Sequence, residues 1–307
     1  MSKLSIILKI KDVFKHGGNV INYLRDQIDN RNDPESIMIS YDFQAGSYTK
    51  LAEVNKCYLQ NYTKALSDVI QDLGSIKSIM EVGVGEATVM IPLIDHLDPH
   101  NRLIKFGFDI SWSRVRYAKD NVRKSKKDVN LFVANLFSIP LPDNSVDVVY
   151  TSHSLEPNGG KEKEALLELL RVARSYVVLL EPDFERASEE ARQRMIKHGY
   201  VRNLSNTAKE FGYELLIDRP FEISINELNP TALLVIKKAD SAIGNNNVIS
   251  YQCPVSHTLL KKSNNIFFSK ESGLMFPIID GIPCLVEQAA ILGTHFDKFN
   301  NTIDEVL

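Results

Sequence analysis

The sequence predicts an α/β protein with a seven-stranded, mostly parallel sheet and helices on both faces. Short apolar runs alternate with longer amphipathic stretches between residues 78 and 239, and a glycine pair separates the first run from an apolar helix. Apolar residues at helical spacing precede the sheet, and a small β-rich segment follows it. We therefore expect three parts: a helical cap at 1–75, the sheet domain at 76–239 and a small module with a tail at 248–307.

Composition narrows the class of protein. The 307 residues include 36 Lys and Arg against 39 Asp and Glu, so no overall positive field attracts nucleic acid or an anionic membrane. No apolar run reaches the ~20 residues of a membrane span, and no signal-peptide cleavage site is visible. Cys57, Cys253 and Cys284 are too scattered for a disulfide framework. These features predict a soluble, cytoplasmic protein without a membrane partner.

Seven apolar runs are the predicted strands, at residues 78–82, 103–108, 129–133, 146–150, 176–180, 213–218 and 232–238. Helix-length spacers separate the first five, which predicts parallel pairing with intervening helices. A short connection containing proline joins the last two, as in a closing antiparallel hairpin. Residues 240–247 have the composition of a linker, so we place a domain boundary there.

The turn after the first strand reads Glu81-Val-Gly83-Val-Gly85-Glu-Ala-Thr88. The two glycines allow a sharp turn and let a ligand approach the amides at the helix N-terminus. A dinucleotide site requires a third glycine at position 88 to leave room for a pyrophosphate, and Thr88 stands there. Glu81 would repel phosphates but suits an ammonium group, bound directly or through water. These residues argue against a nicotinamide dinucleotide.

The next two strands end in residues that suit a nucleoside. Asp109 ends the second strand, where its carboxylate can accept both ribose hydroxyls, and Asn135 follows the third, where its amide can bind the amino edge of adenine. Ammonium, ribose and adenine together describe S-adenosylmethionine.

Residues 78–239 resemble a class I S-adenosylmethionine-dependent methyltransferase of the small-molecule type, with a Rossmann-like sheet. The resemblance rests on Glu81-x-Gly83-x-Gly85, on Asp109, and on Asn135-x-x-x-Ile139-Pro140-x-x-Asp143-x-Ser145-x-Asp147. It implies the following cofactor-binding residues: Glu81, Gly83, Gly85, Asp109, Ile110, Asn135, Leu136 and Ser152. The alternative is a doubly wound fold that uses these residues only for turns.

Tyr41 and Tyr48 resemble the aromatic segment that closes over the cofactor in many such enzymes. They could equally anchor a helical core; we favour the lid. Residues 192–202 have two interpretations as well, a substrate lid or a solvated charged helix. The basic run from Arg114 to Lys127 is interpreted as a solvated face, with RNA binding as the alternative.

His153 and Glu156 follow the fourth strand directly and are the candidate catalytic residues. Ligands of open α/β sheets bind outside the carboxyl ends of the strands, so both should face the transferred methyl group. The Asn/Asp-Pro-Pro-Tyr motif of amide and nucleobase methyltransferases is absent. His153 can instead take a proton from a hydroxyl or ammonium nucleophile, with Glu156 orienting it or acting itself. The alternative is that His153 transfers no proton and catalysis depends on alignment.

Residues 251–283 resemble the small activator domain found with tRNA and release-factor methyltransferases. Such relatives bind zinc through Cys-Pro-x-Cys and a later pair, but Ser256 holds the second position here. Cys253, His257 and Cys284 do not make a closed site, so we expect no metal. A packing role, on the catalytic domain or in a homodimer, is favoured.

The expected function is methylation of a hydroxyl or amine on a small-molecule acceptor, with a saccharide or nucleotide-sugar as the leading class. A nucleic-acid partner is disfavoured by the charge balance. The alternatives are a tRNA or protein methyltransferase with a fused activator-like module, and a cofactor-binding scaffold without an acceptor pocket.

Overall fold

The computed structural model describes residues 3–28, 32–224, 226–238 and 250–299. Seven strands form the main sheet: β1 (Ser78–Val82), β2 (Ile104–Asp109), β3 (Asn130–Val133), β4 (Val146–Ser152), β5 (Ala173–Pro182), β6 (Glu214–Phe221) and β7 (Thr231–Lys237). Their order is β3-β2-β1-β4-β5-β7-β6, and β7 alone runs antiparallel to both of its neighbours. The predicted sheet and its closing hairpin are confirmed.

One detail of the predicted connections is wrong. A helix-length spacer was expected between the third and fourth strands, but residues 134–145 contain turns and no helix. Ile139 and Leu141 are buried in this segment and pack with the core below the sheet. The segment is therefore held by two apolar anchors instead of a helical face.

Helices cover both faces of the sheet. The cap contains α1 (Ile7–Lys15), α2 (Val20–Ile28), α3 (Pro34–Phe43), α4 (Ser47–Val54) and α5 (Lys56–Asp72), and the sheet domain contains α6 (Met90–Leu97), α7 (Trp112–Lys124), α8 (Glu162–Val172), α9 (Glu189–His198) and α10 (Leu204–Glu210). Alternate residues of β4 show the division: Val148 packs with Leu66 of α5 and Leu93 of α6, whereas Val149 belongs to the cluster that contains α8. This alternation is the period-2 pattern of a strand buried on both faces.

The C-terminal module is a second, small sheet. Its strands are β8 (Lys261–Ser263), β9 (Ile266–Phe268), β10 (Leu274–Ile279), β11 (Ile282–Pro283) and β12 (Ile291–Leu292), followed by a single helical turn, α11 (Phe296–Phe299). It joins the open edge of the main sheet, where the Leu285 amide donates to the Val133 carbonyl at 2.8 Å. The predicted linker at 240–247 lies outside the described residues.

Within the described ranges, no helix combines the length and apolar character needed to cross a bilayer.

Candidate active site

A cavity of ≈ 400 Å³ lies beyond the carboxyl ends of the central strands. Its wall contains every residue that the sequence analysis proposed for cofactor binding or catalysis: Tyr41, Tyr48, Glu81, Gly83, Gly85, Asp109, Ile110, Asn135, Leu136, Ser152, His153 and Glu156. They come from the cap and from the ends of four strands, β1 to β4. The sheet topology thus brings residues more than 100 positions apart to one site.

The glycine loop needs both of its glycines. Gly83 and Gly85 have φ values of +69° and +53°, in the left-handed region that side chains rarely adopt. A Cβ atom on Gly83 would also lie 2.3 Å from Cβ of Ser154. Gly83 therefore lets this loop at residues 83–86, called the cofactor loop below, pack against the loop that carries His153.

Asp109 lies on the cavity wall, where two backbone amides hold its carboxylate. Its two carboxylate oxygens accept the amides of Gly85 at 3.1 Å and Ser111 at 2.9 Å, which leaves further lone pairs for ligand hydroxyls. Burial raises the pKa of Asp109, although the nearby Arg114 guanidinium and the backbone amides lower it in part. A carboxylate held by two amides on a cavity wall suits the paired hydroxyls of a ribose.

Two further predicted residues have partners of their own. Glu81 is buried and accepts a hydrogen bond from the Tyr150 hydroxyl at 2.9 Å, and burial raises its pKa to about 8. Asn135 accepts the Phe137 amide at 3.1 Å, which fixes the plane of its side chain. Each group is thus oriented before any ligand binds.

The aromatic segment of the cap is fastened to both sides of the cavity. Asp42 accepts hydrogen bonds from Ser111 and Ser113 at the start of α7. Glu86, directly after Gly85, accepts the amides of Gly46 at 2.8 Å and Thr49 at 2.7 Å at the start of α4. The segment is therefore bound to the cofactor loop itself.

His153 sits in a chain of hydrogen bonds. Its Nδ1 lies 2.8 Å from Glu156 Oε2, and its Nε2 lies 2.9 Å from the Thr231 hydroxyl. Burial lowers the pKa of His153, but the hydrogen bond and negative charge of Glu156, with the charge of Glu181, raise it to a net value above the ordinary one. Because the pKa of Glu156 is lowered, its carboxylate is ionised and accepts the proton on Nδ1. In neutral His153 the basic atom is then Nε2.

Glu181, at the end of β5, holds the loop that carries these residues. It is 1% exposed and accepts three backbone amides at 3.0 Å, from Ser154, Leu155 and Glu156. Burial raises its pKa to about 7, against the opposing charge of His153. The loop needs such support because His153 itself has a φ of +54°.

The segment at 192–202 supports Glu156. The Tyr200 hydroxyl hydrogen-bonds the Glu156 carboxylate, and the Val201 amide donates to its carbonyl at 3.0 Å. Asn229 donates to the same carboxylate at 3.0 Å from the β6–β7 connection. The segment therefore helps to hold Glu156 in position beside His153.

The basic run on α7 is not simply a solvated face. Arg116 Nε lies 2.5 Å from the Asp280 carboxylate in the C-terminal module, and Lys119 contacts the Asp280 carbonyl. Lys127 pairs with Asp95 at 2.6 Å. Arg114, at the start of the run, is buried at the cavity wall. Much of this charge is engaged within the molecule.

Several residues of the site escaped the sequence analysis. These residues contact the cofactor loop, the aromatic segment of the cap or the hydrogen-bonded groups around His153. They are Glu86, Arg114, Glu181, Asn229 and Thr231. Only the position of Glu181 gave a signal, since it ends a predicted strand as Asp109 does. The others act through tertiary contacts.

Comparison with known proteins identifies the class. Residues 79–175 match the family model described as a methyltransferase domain. The chain is an enzyme, an S-adenosylmethionine-dependent methyltransferase, and S-adenosylmethionine is its cofactor. The donors and acceptors around Asp109, Glu81 and Asn135 fit that molecule.

Solved structures share the fold. The magnesium protoporphyrin IX methyltransferase of Synechocystis PCC 6803 with bound SAH is 13% identical, with a TM-score of 0.51 over 67% of this chain and 100% of that one. The same protein with bound SAM gives 13% identity and a TM-score of 0.50 over 69% and 100% of the two chains. A SAM-dependent methyltransferase from Aquifex aeolicus is 18% identical, with a TM-score of 0.49 over 68% and 100%. Comparison with curated proteins finds no significant match.

Proposed function

We propose that the enzyme methylates a hydroxyl or amine of a small molecule, with a saccharide or nucleotide-sugar as the acceptor class. The observation that carries the proposal is that His153 lines the cofactor cavity and has its Nδ1 in contact with Glu156, which leaves Nε2 as the basic atom. The cavity is within the size range of small-molecule sites. The choice of a saccharide rests on the missing amide motif, the acidic charge balance and the family resemblance.

In the proposed reaction, the cofactor supplies an electrophilic methyl group on a sulfonium. His153 Nε2 accepts the proton of the acceptor, either from a hydroxyl as its oxygen attacks the methyl group or from an ammonium before its nitrogen attacks. The methyl–sulfur bond breaks as the new bond forms, and S-adenosylhomocysteine is the leaving group. The proton transfer requires the Thr231 hydroxyl to yield its contact with Nε2 to the acceptor. Glu156 keeps the proton on Nδ1 and stabilises the imidazolium that forms.

The alternative acceptors are tRNA and protein. The basic residues that suggested RNA are partly engaged: Arg116 and Lys119 contact Asp280, and Lys127 pairs with Asp95. This internal use of the charge favours the small-molecule acceptor.

The experiment follows a labelled methyl group. The protein is incubated with S-adenosylmethionine carrying a labelled methyl and a cell extract separated into small molecules, RNA and protein. We expect label in the small-molecule fraction, and much less with His153→Ala. Label in RNA or protein with the wild-type enzyme would contradict the proposed acceptor class while leaving the enzyme class intact.

A further inference from the structure

Arg114, in the first turn of α7, is a buried cation on the cavity wall. Its side chain belongs to a residue that is only 4% exposed. The guanidinium carbon lies 4.7 Å from the ring centre of Tyr41 and 4.3 Å from that of Tyr48, so both aromatic rings contact it. Its Nε donates to the Tyr41 carbonyl at 3.0 Å. Stacking of this kind fixes the plane of the guanidinium.

One nitrogen of this group remains without a partner. Nη2 of Arg114 is buried and has no hydrogen bond to any described residue. A charged donor left unsatisfied away from water is costly, so such a group on a cavity wall indicates a missing acceptor. Gly85 lies alongside, since a Cβ atom on it would be 3.6 Å from Nη1. The guanidinium that carries this donor therefore lies beside the glycine loop, at the cofactor end of the cavity.

We propose that Arg114 binds the amino-acid carboxylate of S-adenosylmethionine through Nη2. The carboxylate is the one anionic group of that cofactor, and guanidinium–carboxylate hydrogen bonds are among the stronger ones in proteins. Asp109 is placed for the ribose, and its negative charge would repel the carboxylate of the cofactor. The inference rests on the cofactor assignment and extends it to a residue and a ligand group.

This role links cofactor binding to the cap. Tyr41 and Tyr48 belong to the segment fastened by Asp42 and Glu86, and they are also the residues that hold the guanidinium. A carboxylate on Nη2 would complete the environment of Arg114 and tighten the contact between cap and sheet domain. Cofactor binding should therefore stabilise the cap against local unfolding.

The test compares two ligands that differ at the amino-acid end. S-adenosylhomocysteine carries the carboxylate, whereas 5′-methylthioadenosine keeps adenine and ribose but lacks it. Calorimetry on Arg114→Met should show S-adenosylhomocysteine binding weakened by about tenfold to hundredfold, and 5′-methylthioadenosine by less than about threefold. Arg114→Lys, which keeps the charge but not the fork, should fall between.

Arg116→Met is the matched control, because Arg116 lies on the same helix and contacts Asp280 instead of the cavity. It should leave both affinities unchanged, and thermal unfolding of each variant verifies the fold. Equal weakening of both ligands by Arg114→Met would overturn the carboxylate assignment, as would no weakening of either. Failure of the wild-type protein to bind either ligand would instead refute the cofactor assignment.

Discussion

The cofactor cavity and the C-terminal module both gather polar side chains, but they use them differently. In the cavity, buried atoms such as Nη2 of Arg114, Oγ of Ser154 and Oδ1 of Asn229 have no partner among the described residues. In the described part of the module, every buried side-chain nitrogen and oxygen has a partner. The cavity therefore leaves donors and acceptors for a ligand, whereas the module uses its buried polar atoms in hydrogen bonds with one another.

The module shows how this closure is achieved. Two turns, beginning at Cys253 and at Ser269, have matching hydrogen bonds, in which the amide four residues later donates to the carbonyl of the first residue at 2.9 and 2.8 Å. Ser256 contacts Thr258 at 2.8 Å, Thr258 contacts Ser269 at 3.2 Å, and Ser272 lies 3.7 Å from the Cys253 sulfur. Paired turns with this ligand spacing commonly surround zinc. Here serine stands at three of the four positions: Ser256 and Ser269 both contact Thr258, and Ser272 contacts the Cys253 sulfur.

The largest expected effect is in the cofactor cavity. Asp109→Ala removes the proposed ribose contacts and the acceptor of the Gly85 amide, so we expect S-adenosylhomocysteine binding to weaken by about 2–4 kcal/mol. Calorimetry measures it, and Asp95→Ala, at a surface ion pair, serves as the control. Unchanged affinity in Asp109→Ala would mean that the ribose binds elsewhere.

Next comes the proposed base. His153→Ala should lower turnover by about 100-fold, the scale of general-base catalysis, and leave cofactor affinity nearly intact. His16→Ala, far along the cap, should behave as wild type. A small loss with an unchanged pH–rate profile would assign catalysis to alignment alone.

A smaller and more specific effect concerns pH. As the proposed base, His153 works only in its neutral form. Its pKa is raised, so activity should fall as pH decreases through a midpoint above the ordinary value of about 6.5. Glu156→Gln removes the charge that raises this pKa and should move the acid limb of kcat/KM to lower pH. Glu164→Gln, exposed on α8, should leave the limb in place. An acid limb that does not move in Glu156→Gln would exclude His153 as its source.

Substitution in the C-terminal module should give the smallest effect. Ser269→Ala removes a buried hydroxyl that contacts Thr258 and accepts the Ser272 amide, and should lower the free energy of unfolding by about 1 kcal/mol without changing cofactor affinity. Lys270→Ala, exposed on the same turn, is the control. A zinc chelator should not change the unfolding temperature of the wild-type protein. A stoichiometric metal found by elemental analysis would break the contrast between the two regions.

The sequence predicted those parts of the site that depend on strand ends. Glu81, Asp109 and Asn135 could be placed because apolar runs locate the strands and parallel strands end at one edge. Thr231 could not, because its contact with His153 crosses 78 positions and depends on the antiparallel return of β7.

Arg114 was missed for a different physical reason. It stands in a run of basic residues, whose usual place is a solvated helix face. The rings of Tyr41 and Tyr48, from the cap, lie against its guanidinium. Helical spacing places Arg114 on the same face of α7 as the buried Ala118 and Val122, but its charge indicated a position in solvent instead.

The anchoring of α4 by Glu86 bears on how such an enzyme can diverge. Glu86 holds the backbone of Gly46 and Thr49, and these contacts do not depend on which side chains follow. Leu51, Ala52 and Asn55, further along, face the cavity. Mutation can therefore change these three side chains, and with them the shape of the cavity, while the cofactor loop and its anchor stay in place.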